Sequence, residues 1–309
     1  MSDLTEVLAR SRVLDSSLER VRVSDLNFSV EGSDIFMAYG DNRARMTMRA
    51  LRNLAKLTTA SPKLLINQQD IVLRSLVQRQ LAGIEVLQVL KFNGEITSLF
   101  PAENSYSTLP DLVEGIDPES IISIRGDVVE SDHVSFLIRS GEYQGYIVGS
   151  IFTLCPNGMD KNKFSNGLFR TACTNSAIDN TFFNEKLNSV SPLIMRGVMS
   201  AFAERADEYL TYFQRFHQFM RETVLDSRRH GFMLEHSGVP SSILGKYKNI
   251  LDNPGDNQEE LQGASVRELI TVEDSFNLIT HLAKDIESVS ARNKTESAVV
   301  SWVDSLRRI

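Results

Sequence analysis

Residues 43 to 79 set eight cationic side chains (Arg43, Arg45, Arg49, Arg52, Lys56, Lys63, Arg74 and Arg79) against a single carboxylate, Asp70. The stretch carries +7 in a chain whose formal net charge is −7, so the remainder carries −14. Such segregation suits polyanion binding, because a local cationic surface attracts phosphates through its near field whatever the sign of the whole molecule. Arg49, Arg52 and Lys56 stand three and four residues apart and so share one face of a helix. Guanidinium groups match phosphate oxygens bidentately. The stretch contains no Phe, Tyr or Trp, whereas single-strand binders interleave cations with aromatic platforms for the bases. A secondary contact is therefore expected around Lys161, Lys163 and Arg170, beside Phe164 and Phe169. The cations could instead pair with the acidic stretch 103–132, which holds eight carboxylates against Arg125 alone. That pairing would lie within the chain or between subunits.

Other chemistries find less support. There is no G-x-x-x-x-G-K-[ST] phosphate loop: Gly245-Lys246 is followed by Tyr247 and lacks the preceding glycine. Cys155 and Cys173 form no C-x-x-C pair and have no neighbouring histidine, so no zinc site is expected. Two cysteines also suit a reducing compartment rather than a disulfide framework. His217, His230, His236 and His281 are scattered along helical segments and read as surface or packing residues. Asp127, Glu130, Asp132 and His133 could ligate Mg²⁺ or Mn²⁺ as in a nuclease. No lysine follows at nuclease spacing, and an acidic strand end facing water is the simpler reading. A non-enzymatic protein without metal or cofactor is expected.

The elements that must position these residues read as α+β, with mostly antiparallel strands at about 84–154 flanked by helices at both ends. A leading helix within 1–22, a hairpin or two short strands within 22–40 and a helix at 46–58 come first. Ser61-Pro62 breaks that helix, and Asp70 is placed to cap the next one, to about Leu81. Asn93-Gly94 marks a tight hairpin turn, and Gly141 to Gly145 marks another. Residues 156–167, rich in Asn, Gly and Lys, read as a loop. From Met195 to Val224 apolar residues recur at steps of three and four, which predicts a long amphipathic helix over 193–224. A polar stretch at 253–265 is the linker candidate, dividing a core of 1–252 from a helical segment of 266–309. Thr271 and Asp274 make a capping-box start for a helix through about Ala291. No stretch approaches the 18 apolar residues of a membrane span, and Met1–Glu6 lacks the features of a secretory signal.

Three passages carry a resemblance. Asn166-Gly167-Leu168-Phe169-Arg170-Thr171-Ala172-Cys173-Thr174-Asn175 resembles the R-x-x-C-T-N signature of the "phage/plasmid-like protein" family. Arg49 to Leu57 followed by Ser61-Pro62 is similar to that family's early helix and proline turn, and Thr271 to Ala283 to its late N-x-x-T-x-x-A segment. The resemblance implies a gene of phages or mobile elements, with Arg170, Cys173, Thr174 and Asn175 as motif positions. In such genomes the nearest functional match is the early single-stranded-DNA-binding transcription regulator of lytic podoviruses that encode their own RNA polymerase. The expected protein is therefore a viral, non-enzymatic single-stranded-DNA binder acting in transcription or replication in the host cytoplasm. A homo-oligomer is expected, with the acidic stretch recruiting a basic partner such as a viral or host RNA polymerase. The alternatives are a host-takeover factor docking an acidic protein, and the metal-dependent nuclease.

Overall fold

The computed structural model describes residues 4–308 except 105, 107, 111–115, 171–174, 188–191, 225–233 and 254–270. Alternation sets its first strands: in β3 (Asp34–Tyr39), Ile35, Met37 and Tyr39 are buried between half-exposed neighbours, as a sheet with one covered face requires. β3 lies between β2 (Asn27–Glu31) and β4 (Asn42–Arg45). A second sheet orders β1 (Glu19–Arg22), β5 (Val86–Phe92) and β6 (Glu95–Pro101). Asn93 and Gly94 close the β5–β6 hairpin with φ of 51° and 80°, the positive values such a turn demands.

Helices α2 (Met48–Leu57), α3 (Pro62–Ile66) and α4 (Asp70–Gln80) complete this half. Leu54, Leu65, Leu73 and Val77 from these helices share a core with Phe28, Met37 and Val89 of the two sheets. Thr47 and Ser61 cap α2 and α3 by accepting from Ala50 N and Leu64 N. Asp70 departs from the expected capping role. It is the first residue of α4, and its carboxylate accepts from Val30 N at 2.8 Å, tying helix to sheet. The leading helix α1 (Leu4–Ser16) is shorter than its spacing suggested, because β1 begins at Glu19.

The second half is built on five antiparallel strands in the order β11-β10-β9-β8-β7. These are β7 (Ile121–Arg125), β8 (Val134–Tyr143), β9 (Tyr146–Leu154), β10 (Asn162–Arg170) and β11 (Asn175–Leu187). The fold is α+β, but its strands reach well outside 84–154. Half of the expected 156–167 loop belongs to β10, leaving a short turn at 156–161. Asn162 and Asn166 interrupt the face that carries Phe164 and Leu168, and Lys163 and Ser165 occupy the other, which masked the alternation. Gly167 reads as a turn residue but serves close packing, since a Cβ there would lie 2.5 Å from the Ile151 side chain.

The helix predicted over 193–224 is two, α5 (Pro192–Glu204) and α6 (Ala206–Glu222), separated at Arg205. The apolar stripe changes core at that break. Phe202 packs with Phe136, Phe152 and Phe164, whereas Tyr209, Phe213, Phe216 and Met220 pack with Tyr146 and Leu168. The helix expected through Ala291 likewise ends early: α8 (Val272–Leu282), opened by the Thr271–Asp274 capping box, is followed by α9 (Val289–Arg307). Before them α7 (Ser241–Asp252) completes this layer. Beyond Asn253, the expected linker falls outside the described residues. The helices that follow it nevertheless share the core of Tyr146, Phe213 and Leu168, through Phe276, Val299 and Trp302. The expected division at 253–265 is thus not a division of cores. No helix among the described residues is long and apolar enough to cross a membrane.

Candidate nucleic-acid interface

Most cations of residues 43–79 already have partners within the chain. Arg43 pairs with Glu31 and stacks over Phe36, 4.2 Å from the ring centroid. Arg45 pairs with Glu95 and lies 3.6 Å from Asp34. Arg74 Nε donates to Phe28 O at 3.0 Å. Arg52 meets Asp132 at 3.1 Å and Lys56 meets Asp160 at 2.8 Å. Only Lys63 and Arg79 are exposed with no hydrogen-bond or ion-pair partner for their charged ends among the described residues. Pairing with the acidic stretch 103–132 therefore holds for Arg52, while the other carboxylate partners lie elsewhere in the chain.

Arg49 corrects the expected solvent face of α2. It is 1 % exposed. Its Nε donates to Thr97 O at 2.8 Å, and its Nη1 donates to Val128 O at 2.6 Å and Ser131 O at 3.2 Å. Burial lowers its pKa to about 10, which still leaves it charged at neutral pH. Three carbonyls satisfy its Nε and Nη1, while its buried Nη2 has no partner among the described residues. Arg49→Ala is expected to destabilise the fold by roughly 2–4 kcal/mol, since it leaves a cavity and buried acceptors unpaired. Urea unfolding would show it as a lowered midpoint, and an unchanged midpoint would contradict this role.

Asn53, one turn along the same inward face, joins α2 to the turn between β9 and β10. Its Nδ2 donates to Ser98 Oγ at 2.8 Å, Leu99 O at 3.2 Å and Asn157 O at 3.1 Å. Ser98 Oγ donates to the same Asn157 carbonyl at 2.7 Å. Gly158 keeps the turn tight against the sheet: its φ is +66°, and a Cβ there would lie 2.5 Å from the Phe100 ring. The docked turn carries Asp160 to Lys56 and to within 4.0 Å of His133 Nε2. In this way the expected main and secondary contacts, Arg52 and Lys56 on one side and Lys161 and Lys163 on the other, become neighbours.

Beside that junction a groove of about 390 Å³ lies between the five-stranded sheet and α9. Thr153, Lys163 and Ser165 face it from the sheet, and Ser290, Lys294 and Ser297 from the helix. Ser135, Thr153 and Lys163 are register partners across β8, β9 and β10, so they form one polar row. Three lysines, Lys161, Lys163 and Lys294, line the groove, and no carboxylate among the described residues does. A helix laid on a sheet ordinarily buries aliphatic side chains. Here Asn293 Nδ2 donates instead to Ser135 Oγ at 3.0 Å, and the Ser135 and Thr153 hydroxyls hydrogen-bond at 3.0 Å. Asn293 Oδ1 and His133 Nδ1 are buried beside the groove without a partner among the described residues. A buried ion cluster holds the helix in place: Glu296 accepts from Arg125 Nη1 through both oxygens at 3.0 Å and from Arg292 Nε at 3.0 Å.

Burial lowers the pKa of His133, with the nearby carboxylates of Asp160 and Asp132 opposing the shift. The unfolded chain, titrating near the ordinary value of 6.5, then takes up this proton before the folded chain does. Stability is expected to fall as pH drops below about 6.5 and to level off once the folded-state pKa is passed. His133→Gln should flatten that dependence in urea titrations, and an unaltered slope would assign it to other groups.

Other expected residues are engaged elsewhere. Phe164 is fully buried and Phe169 packs against Leu137 and Ile151, so neither offers a stacking platform. The Arg170 side chain, together with Cys173 and Thr174, lies outside the described residues. Asp127 accepts from Val129 N at 2.7 Å and Glu130 N at 3.1 Å and pairs with Arg10, while Asp132 faces Arg52. Among the described residues no three His, Cys, Asp or Glu side chains are grouped to hold a metal ion. His217, buried, meets Glu273 at 3.1 Å as a packing residue. Cys155 is buried, which pushes its thiol pKa up.

No protein-family model matches the chain, and neither a curated protein nor a solved structure matches it.

Proposed function

We propose that the protein binds single-stranded DNA without catalysing a reaction, the strand entering the groove under α9 and continuing over Lys56 and Arg52. The observation that carries this reading is a groove lined by lysines and hydroxyls and, among the described residues, by no carboxylate. A single strand can follow lysines and hydroxyls along its exposed sugar-phosphate chain, as non-specific single-strand binders do. Arg52 and Lys56 add to it despite their pairing. Both are half-exposed, and ion pairs of that kind contribute only about 0–1 kcal/mol, so a phosphate can displace the carboxylate at little cost. With Phe164 and Phe169 packed away, recognition falls on the backbone and sequence preference is expected to be slight.

The role in a phage-type early regulator, in the host cytoplasm and in contact with a polymerase, extends this proposal, as does a homo-oligomer that aligns several grooves. A mobility-shift comparison of single-stranded with duplex DNA tests it. Retardation of the single strand at lower protein concentration is expected, and equal or stronger retardation of the duplex would refute it.

A second reading has its own support. Lys63 and Arg79 accompany the exposed Leu64, Ile71 and Val72 on α3 and α4, with Ile71 75 % exposed. A cationic surface with exposed aliphatic groups suits an acidic protein partner. A protein whose role is this alone would retain no labelled oligonucleotide on a filter.

A further inference from the structure

We infer that the groove between α9 and the sheet is a site for a phosphate monoester, supplied by the end of a DNA strand or by a free nucleotide. This rests on the reading of the groove as the DNA contact and specifies which phosphate occupies it. An internal phosphodiester carries one negative charge, whereas a monoester carries about −1.5 to −2 at neutral pH and three strong acceptor oxygens. The groove is matched to the second. Lys161, Lys163 and Lys294 line a space of about 390 Å³, and no carboxylate among the described residues lines it. Neither Lys161 nor Lys294 has an ion-pair partner among the described residues. The Ser165 and Ser290 hydroxyls add donors at the same place.

The volume fits one nucleotide-sized ligand, within the range of small-molecule pockets. Three separate parts of the chain wall it: the sheet through Lys163, α9 through Lys294, and the turn before α7 through Ser237. The small side chains leave that space open. The Lys294 ammonium, one turn after Ser290, sits on the helix face turned to the groove, where it would close over the phosphate.

The test pairs a nucleotide with defined strand ends. Deoxyadenosine monophosphate is expected to raise the melting temperature of the whole chain, and deoxyadenosine is not. By fluorescence anisotropy, a linear strand bearing a terminal phosphate is expected to bind at least tenfold tighter than the same strand with hydroxyl ends or a circular strand. Lys294→Ala, on an exposed side chain, should abolish both effects. Equal binding of phosphorylated, hydroxyl-ended and circular strands, with no shift from the monophosphate, would overturn this inference and leave the single-strand reading standing. A melting shift from the monophosphate with no strand binding would overturn the single-strand reading and support the inference.

Discussion

Replacing Lys161, Lys163 and Lys294 together by alanine is expected to lower affinity for a single-stranded oligonucleotide roughly a hundredfold at low salt. Each lysine–phosphate contact contributes on the order of 1 kcal/mol, and about 1.4 kcal/mol is a factor of ten. The salt dependence gives an independent reading of the same contacts. With Arg52 and Lys56 included, five contacts predict a log–log slope of about −3.5 on a single strand, and the two that remain predict about −1.4. Arg43→Ala with Arg45→Ala supplies the contrast. Those side chains lie on β4 and do not line the groove, so affinity should stay within about twofold of the unaltered protein. If the Arg43 and Arg45 pair instead carried the loss, the contact would lie on β4 and the groove would have no part in it.

Glu296→Ala is expected to be the most destabilising single change among the charged residues. Glu296 is fully buried between Arg125 and Arg292. Removing it strands the Arg125 guanidinium, whose own pKa is already lowered by burial. Breaking a buried pair in this way costs roughly 3–5 kcal/mol, equivalent to a fall of roughly 5–8 °C in melting temperature for a chain of 309 residues. The cause can be isolated, because replacing both members with apolar groups often leaves stability nearly unchanged. Arg125→Met with Glu296→Leu should therefore recover much of the loss. Recovery of stability without recovery of DNA binding would further show that the ion cluster sets the seat of α9 over the groove. A single Glu296→Ala variant that melts like the parent would mean that α9 is held by its apolar half, around Trp302, alone.

These effects turn on contacts that local pattern could reveal only in part. The α+β class, the Asn93-Gly94 turn, the proline break at Ser61-Pro62 and the Thr271–Asp274 capping box were legible, because each is decided within a few residues. Spacing also placed Arg49, Arg52 and Lys56 on one side of α2, but it could not tell which of them faces inward. That depends on Thr97, Val128 and Ser131, which are distant in sequence and supply the carbonyls that hold Arg49. Charge density along the chain was the misleading signal: Glu31, Glu95 and Asp160 neutralise cations that looked unopposed. The groove was half visible. Lys161 and Lys163 drew notice, whereas Lys294 did not, although Ser290, Lys294, Ser297 and Ser301 form a small polar stripe at helical spacing in α9. Such a stripe on a helix whose remaining side buries Val299 and Trp302 marks a face that meets something other than a core.

Photo-crosslinking locates the strand directly. A single-stranded oligonucleotide carrying 4-thiothymidine would be irradiated in complex with the protein, and the attached peptides identified by mass spectrometry. Adducts confined to the peptides containing residues 161–165 and 290–301 are predicted, with weaker labelling around Arg52 and Lys56. Labelling concentrated instead on residues 63–79, with the α9 peptide unmodified, would contradict a DNA site between α9 and the sheet.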